Sequence, residues 1–394
     1  MRILIADDTS ELSQPWAETL AKAVNASATP KSANKRGSAR ETVSMLCATA
    51  GADRDTQFPG IELSDQPEQL AAILDALGIS LLNRGYVPEG KRLILLALDL
   101  RKDFFGKNHP AVAASLTSYA RVQRMEGDLL RGSKTINDAV KINRRYFGAS
   151  GLPLVVTLVE SGVLHLYQGK ATAAARDALR GLAILKRHRL EAHDPNTSRL
   201  LDTLGRALET RGRLTSGAKA RALFLAAVRA LTKAVKLDLK QVGSNHPKYA
   251  THRANLASAQ WALGDLDAAE EGFNEVIRVY EQVLQRPLHP NLIDAYANLG
   301  SVLTTQPSRR AEAENVLQDA LGRNEKSRGP ADTLVGNDHA NLGRLYFAMG
   351  DGARATAEFE TALSIYLANV KAKRLPRNHP YIAEARQWLK NPCP

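Results

Sequence analysis

Small residues recur at one position of a helical pattern of apolar residues along most of the chain. Successive members of the series are 42 or 43 residues apart, except for one interval of 52. Larger apolar residues such as Leu256, Leu299 and Leu342 precede them at the same interval. A fixed period of this length predicts a repeat architecture in which each unit is a pair of helices. The small residues are Gly78, Ala120, Gly162, Gly205, Ala257, Gly300 and Gly343.

Glycine and proline mark the ends of the predicted helices. A glycine lies seven positions after the small residue in every repeat but the sixth, where Pro307 takes its place. Glycine adopts the left-handed conformation that ends many helices, and proline suits a first helical turn because its missing N–H would have no partner there. The predicted turn glycines are Gly85, Gly127, Gly169, Gly212, Gly264 and Gly350, and the prolines that open first helices are Pro67, Pro110, Pro153, Pro195, Pro247 and Pro290, followed by Pro380.

The second helix of most repeats has a small residue of its own, for example Ala97, Ala139 and Ala362. Small residues on both helices let the two axes approach closely as an antiparallel hairpin. One hairpin cannot bury its apolar face alone, so the hairpins must stack on one another. We therefore predict an all-α fold: a right-handed α-α superhelix (solenoid) of about seven hairpins over residues 65–390, with a C-terminal capping helix near 381–389.

The pattern resembles the tetratricopeptide repeat (TPR), whose motif has a Leu-Gly pair, an aromatic residue, and then an alanine, an aromatic residue and an alanine. The seventh repeat matches at every position, whereas Gln260 replaces the first aromatic residue in the fifth. The period and the His-Pro pairs at 246–247 and 289–290 are similar to the kinesin-light-chain type of this repeat. The matching residues of the seventh repeat are Leu342, Gly343, Tyr346, Ala355, Phe359 and Ala362.

Two segments do not follow the period. Residues 1–64 precede the repeats, and the polar stretch 25–40 has no acidic residue. That composition is typical of a linker or a weakly structured extension, with an organellar transit segment as a second interpretation. The interval of 52 residues indicates an insertion near 213–222, which we expect to extend the second helix of the fourth repeat or the loop before it.

The composition restricts the class of protein. Its 53 basic and 41 acidic residues give a net charge of +12, so a basic solenoid that binds nucleic acid is an alternative function. Against it, no aromatic stacking platform alternates with the basic residues in the sequence. Two distant cysteines exclude a disulfide scaffold. No apolar run approaches the roughly 18 residues of a membrane-spanning helix, so we expect a cytoplasmic protein with no membrane partner.

The sequence contains no recognisable catalytic motif. A phosphate-binding loop, a nucleophile elbow and a zinc-binding His-Glu-x-x-His are all absent from it. Four histidines directly precede a repeat proline, so they are spread along the array and do not converge. We expect them to cap helices, and we expect no enzymatic activity, no cofactor and no metal site. The four are His109, His246, His289 and His379.

The resemblance also assigns candidate binding residues. In this family the first helix of each repeat lines the concave groove, and the residue two before the small residue contacts ligands. Asn255, Asn298 and Asn341 occupy that position at intervals of 43 residues. Because an asparagine amide both donates and accepts, such a row can hold the backbone of an extended peptide. The alternative is that each asparagine bonds to a neighbouring helix and orients the repeats.

Arginines lie near the same predicted surface. They follow the small residue directly or lie on adjoining turns, where their guanidinium groups would pair with carboxylates or phosphates. We therefore predict a non-catalytic protein-interaction scaffold that binds an extended or helical peptide with acidic groups. Nucleic-acid binding and a sensor or regulatory subunit of a signalling complex remain as alternatives. The arginines are Arg121, Arg124, Arg199, Arg206 and Arg344.

Overall fold

The computed structural model describes residues 67–390 except for positions 84, 285–287, 289 and 373. Within those residues it contains 15 α-helices and a short 3-10 helix at Pro307–Arg309. The predicted extension 1–64 lies outside the described residues. The helices are α1 Pro67–Asn83, α2 Val87–Phe105, α3 Pro110–Met125, α4 Leu129–Phe147, α5 Leu154–Tyr167, α6 Ala171–Arg187, α7 Asn196–Arg213, α8 Gly217–Val242, α9 Pro247–Leu263, α10 Leu266–Leu284, α11 Pro290–Thr304, α12 Arg310–Arg328, α13 Thr333–Met349, α14 Gly352–Lys371 and α15 Pro380–Lys390.

The helices pair in chain order, so that α1 to α14 make seven hairpins and α15 follows the last of them. The all-α solenoid predicted from the period is therefore confirmed. The predicted small residues lie where helices cross. A methyl group added to Gly343 would lie 2.9 Å from the ring of Phe359, and one added to Gly300 would lie 2.7 Å from Leu317. Side chains at these points would force the helices of a hairpin apart.

The chain divides into two compact units, and the division falls after Ser161, inside α5. The N-terminal unit includes α1 to α4, and the C-terminal unit includes α6 to α15. No helix in the described part of the chain is long and apolar enough to cross a membrane.

The ends of several helices agree with the residues that predicted them. Gly264 and Gly350 end α9 and α13 in the left-handed conformation, with φ of +91° and +82°. His109 and His246 begin α3 and α9, and the Nδ1 atom of each accepts a hydrogen bond from a backbone N–H, at 3.2 and 3.0 Å. The predicted capping role is confirmed for these two histidines. His289 lies outside the described residues.

The fourth repeat departs from the prediction. Gly212 is wrong as a turn glycine: it is buried inside α7, where an added methyl group would lie 2.5 Å from the ring of Phe224. The chain turns after α7, and Gly217 has a φ of +61°. The following helix α8 has 26 residues, whereas the second helices of the other repeats have 17 to 20.

A buried ionic network joins the first three helices of the N-terminal unit. Arg101 of α2 is 5% exposed, and it donates two hydrogen bonds to Glu68 of α1, at 3.0 and 3.1 Å. The same guanidinium contacts Asp75 of α1 and donates to Ser115 of α3 at 2.7 Å. Ser115 in turn donates to Asp75 at 2.8 Å. Removing one member would leave a buried charge without its partner, which is costlier than removing the whole group.

In the C-terminal unit, carboxyl groups are buried between the sixth and seventh repeats of the chain. Asp338 of α13 is 3% exposed and accepts a hydrogen bond from Asn324 of α12 at 2.6 Å. Burial, reinforced by the nearby carboxyl of Asp294, raises the pKa of Asp338 to about 7. Burial also raises the pKa of Asp294 to about 6. Both carboxyl groups therefore keep their protons to a higher pH in the folded protein than an ordinary aspartate does.

We predict that Asp338→Asn stabilises the protein at alkaline pH. The folded protein holds this proton more tightly than the unfolded chain does, so the free energy of unfolding falls as the pH rises from 3.8 towards 7. Asparagine has no proton to lose and still offers Asn324 an acceptor. A gain of 1 kcal/mol would raise the Tm by about 2–4 °C in a domain of this size. Thermal unfolding followed by circular dichroism should show the gain at alkaline pH and none under acidic conditions.

Asp319→Asn is the control, because Asp319 is half exposed and pairs with Arg323 at the surface. An equal Tm difference between Asp338→Asn and the wild type at acidic and alkaline pH would contradict the prediction.

Candidate functional site

The three asparagines predicted to contact a ligand lie on the first helices of successive hairpins in the C-terminal unit. Asn255, Asn298 and Asn341 belong to α9, α11 and α13, and all three are half-buried. We call them the asparagine row. Their common interval of 43 residues places them at equivalent positions in three consecutive repeats.

The members of the row differ in their bonds. Asn255 donates from Nδ2 to Asp202 of α7 at 2.7 Å, and this bond joins the fourth and fifth repeats. Asn341 accepts at Oδ1 from Arg344 one turn away, at 2.6 Å. Asn298 has no hydrogen-bond partner among the residues that the structure describes. Asn255 thus has the orienting contact that we considered as the alternative role, while each asparagine keeps further hydrogen-bonding capacity.

The predicted arginines divide between the two units. Arg121 and Arg124 belong to the N-terminal unit, where Arg121 donates to Asn83 and Arg124 donates to the buried Glu160 at 2.7 Å. The members of the asparagine row belong to the C-terminal unit.

The other three arginines lie in the C-terminal unit beside the row. Arg206 is 3.9 Å from Asp202, and Arg344 donates to Glu384 of α15 at 2.6 Å. Arg199 donates to the amide oxygen of Asn196 at 3.3 Å. Two of these guanidinium groups therefore already face carboxylates of the chain, and an acidic ligand would compete with Asp202 and Glu384 for them.

The last helix of the C-terminal unit returns to the beginning of that unit. His379, directly before α15, is 3% exposed and donates from Nε2 to the backbone oxygen of Tyr167 at 2.9 Å. Pro380 packs against Gly169, where an added methyl group would lie 2.4 Å from the proline ring. We call these four residues the seam. It closes the C-terminal unit on itself.

The two hydrogen bonds of His379 require a neutral imidazole ring. Nε2 needs a proton to donate to Tyr167, and Nδ1 needs a lone pair to accept the backbone N–H of Tyr381, at 3.4 Å. Burial lowers the pKa of His379, and this effect exceeds the opposing effect of the Tyr167 carbonyl. Sequence reasoning predicted a cap at this histidine but missed the contact with Tyr167, which is 212 residues away along the chain.

We predict that His379→Leu opens the seam. The variant leaves the Tyr167 carbonyl without its donor, a loss of about 1–3 kcal/mol for a buried group. We expect amide hydrogen exchange in α15 to become about 5–150 times faster, measured by mass spectrometry. In the wild type, lowering the pH below the ordinary histidine value of 6.5 should also reduce the protection of the α15 amides, measured as the intrinsic exchange rate at each pH divided by the observed rate, because protonation removes the Nδ1 acceptor.

His246→Leu is the matched control. It removes a histidine cap from α9 but leaves the seam untouched. Unchanged exchange in α15 of His379→Leu, or an equal effect of both variants on α15, would contradict the role of the seam.

Comparisons with known proteins agree with this architecture. A family model described as tetratricopeptide repeat matches residues 218–282. A search of curated protein sequences returns no match. The crystal structure of a Rap protein complexed with competence and sporulation factor is 12% identical, covers 95% of this chain and 98% of its own, and gives a TM-score of 0.58.

Two other structures show the range of similarity. The Rap conjugation gene regulator of the plasmid pLS20, in complex with a Phr peptide, is 11% identical, covers 93% of this chain and 99% of its own, and has a TM-score of 0.58. BtubC (BKLC) from P. vanneervenii is 20% identical, covers 61% of this chain and 91% of its own, and has a TM-score of 0.44. The segment that matches the tetratricopeptide-repeat model includes parts of α8 to α10, and helical hairpins of the same kind lie on both sides of it.

Proposed function

We propose that the chain is a non-catalytic interaction scaffold in the cytoplasm, and that its C-terminal unit binds an extended or helical segment of a protein partner. The binding surface is the inner side of the first helices α7, α9, α11 and α13. The observation that carries this proposal is the asparagine row, three half-buried amides at equivalent positions of consecutive repeats. A half-buried amide that recurs with the repeat can bond a ligand as well as its own chain, and a peptide backbone offers both donors and acceptors at regular intervals.

The hydrogen-bonding capacity of the row fits a backbone ligand. Asn298 offers a donor and an acceptor. Asn255 uses one of its two N–H groups for Asp202, and Asn341 uses one lone pair of its carbonyl oxygen for Arg344. Every member of the row therefore keeps at least one donor and one acceptor, which suits the N–H and C=O groups of an extended chain.

Acidic groups of the ligand would meet the arginines beside the row. Arg199 is bonded to an amide oxygen and pairs with no carboxylate in the described part of the chain. Arg206 lies 3.9 Å from Asp202, too far for a strong hydrogen bond, so a ligand carboxylate would strengthen its pairing. Arg344 would have to exchange Glu384 for the ligand.

The fold comparison gives this proposal a second support. Two structures of the same overall fold, with TM-scores of 0.58, are a Rap protein with competence and sporulation factor and a Rap conjugation gene regulator with a Phr peptide. The second of these also favours a regulatory subunit as a second candidate function, in which the bound segment controls another protein.

We predict that Asn298→Ala together with Asn341→Ala weakens peptide binding. Selection of a random peptide library on the full chain supplies the probe, and isothermal titration of the selected peptide measures its Kd. A lost hydrogen bond of about 0.5–1.5 kcal/mol reduces affinity about 2–12-fold at each site. Asn298 is the sharper test, because its removal breaks no bond to another described residue.

Asn137→Ala is the control for the loss of an amide, because Asn137 is exposed on α4 in the other unit. Far-ultraviolet circular dichroism checks that each variant keeps its helices. Failure to enrich any peptide, or equal Kd values for the wild type and the double variant, would contradict the proposed surface.

A further inference from the structure

A continuous run of aromatic rings lies on the N-terminal unit, whereas the asparagine row belongs to the C-terminal unit. The ring centroids of Phe104 and Phe105 are 4.7 Å apart, and Phe105 stacks on His109 at 4.3 Å with an interplanar angle of 11°. His109 meets Tyr146 edge-on at 5.8 Å, and Tyr146 lies 6.1 Å from Phe147. We call these five rings the aromatic ladder.

The ladder follows from the repeat. Phe104-Phe105-Gly106 ends α2, and Tyr146-Phe147-Gly148 ends α4. The two aromatic pairs are 42 residues apart, which is one repeat, so stacking of the first two hairpins brings them side by side. His109 caps α3 between them through the backbone N–H of Ala111.

The exposure of the ladder sets it apart from other aromatic residues of the chain. Phe104, Tyr146 and Phe147 are 50%, 59% and 44% exposed. In contrast, Phe273 and Phe359 are fully buried between repeats. Neighbouring large apolar side chains left in water lose the free energy that burial would give them, and such clusters mark binding surfaces.

Basic groups surround the ladder and make its surroundings attractive to anions. A cleft of about 420 Å³ opens between the loop after α2 and the end of α4, and Lys107 and Arg145 both line it. Two more basic residues, Lys102 and Arg144, lie within one helical turn of a ladder residue in the sequence. The acidic residues nearby in the sequence are Asp99 and Asp103. The remaining lining residues are Phe105, Gly106, Asn108, His109 and Tyr146.

This arrangement corrects the sequence analysis. The sequence showed no aromatic platform that alternates with basic residues, because the members lie in two repeats. The fold brings them together: aromatic walls, two cations and the amide of Asn108 share one cleft.

We propose that the aromatic ladder and its cleft bind single-stranded nucleic acid. A nucleobase stacks on the exposed ring of Tyr146, and its phosphates pair with Lys107 and Arg145. Proteins that bind single strands combine aromatic stacking platforms with a basic groove in this way. The Asn108 amide can donate to and accept from a base edge.

The chemistry favours a nucleic acid over an acidic peptide. An acidic peptide would use the cations but not the ring faces, whereas every nucleobase brings a π-face together with a phosphate. A cleft of about 420 Å³ lies within the range of small-ligand sites, so it has room for a nucleotide unit. The site belongs to the other unit from the proposed peptide surface, and it is independent of that proposal.

Fluorescence anisotropy of the full chain tests the site, with a labelled oligouridylate of about 12 nucleotides, a length that one single-strand site covers. Tyr146→Ala should weaken binding at least about fivefold, because stacking contributes about 1–3 kcal/mol per base. Tyr146→Phe keeps the ring and should bind like the wild type. Arg145→Ala should reduce the slope of log K against log salt by about 0.7, the value for one phosphate contact with a single strand.

Arg131→Ala is the charge control, because Arg131 is exposed on the same helix about 21 Å from Arg145. Equal losses of affinity for Arg131→Ala and Arg145→Ala would overturn the site in favour of unspecific attraction. So would wild-type affinity in Tyr146→Ala, or absence of binding to the oligouridylate at low salt. If free uridine monophosphate competes as strongly as the unlabelled oligomer, the ligand is not a strand. If polyglutamate competes equally well, the ligand is not specifically a nucleic acid.

Discussion

Two helices of a hairpin approach closely only where one of them offers almost no side chain at the crossing. Gly205 meets the side chain of Leu231, where an added methyl group would lie 2.4 Å away, and Gly343 meets the ring of Phe359. Filling such a point would push the helices apart and would cost both packing and the burial of the larger partner. In the hairpins with such a crossing, its position fixes the register of the two helices.

This register explains how far the sequence could predict the site. A residue two positions before the small residue recurs at 43-residue intervals, so the equivalence of Asn255, Asn298 and Asn341 was visible in the sequence. Their bonds were not visible. Asp202, the hydrogen-bond partner of Asn255, lies 53 residues earlier in the chain, in the fourth repeat. Because that repeat contains the insertion, the interval differs from the regular 42 or 43 residues, and counting by the repeat does not reveal the pair.

The wrong prediction at Gly212 has the same origin. Counting seven residues from the small residue assumes a repeat of standard length, whereas α7 continues through Arg213 and α8 is several residues longer than its counterparts. Gly212 is instead a crossing glycine, covered by the ring of Phe224. Glycine thus serves two physical purposes: it adopts a positive φ at a turn, or it lets two helices approach closely. The sequence alone does not distinguish them. The aromatic ladder was missed for a related reason, since its two halves become neighbours only when repeats stack.

The seam gives the C-terminal unit a property that an open array of hairpins lacks. In an open array the first and last repeats never meet, and stability is a sum of local terms. Here His379 and Tyr167 meet across 212 residues, so a change in curvature at any hairpin between them must strain or break their contact. A hydrogen bond adds only about 0.5–1.5 kcal/mol net. A segment bound at the proposed surface along α7 to α13 would shift the balance between the closed and the opened unit by the difference in its affinity for the two. Closure would thereby couple binding at the proposed peptide surface to the position of α15.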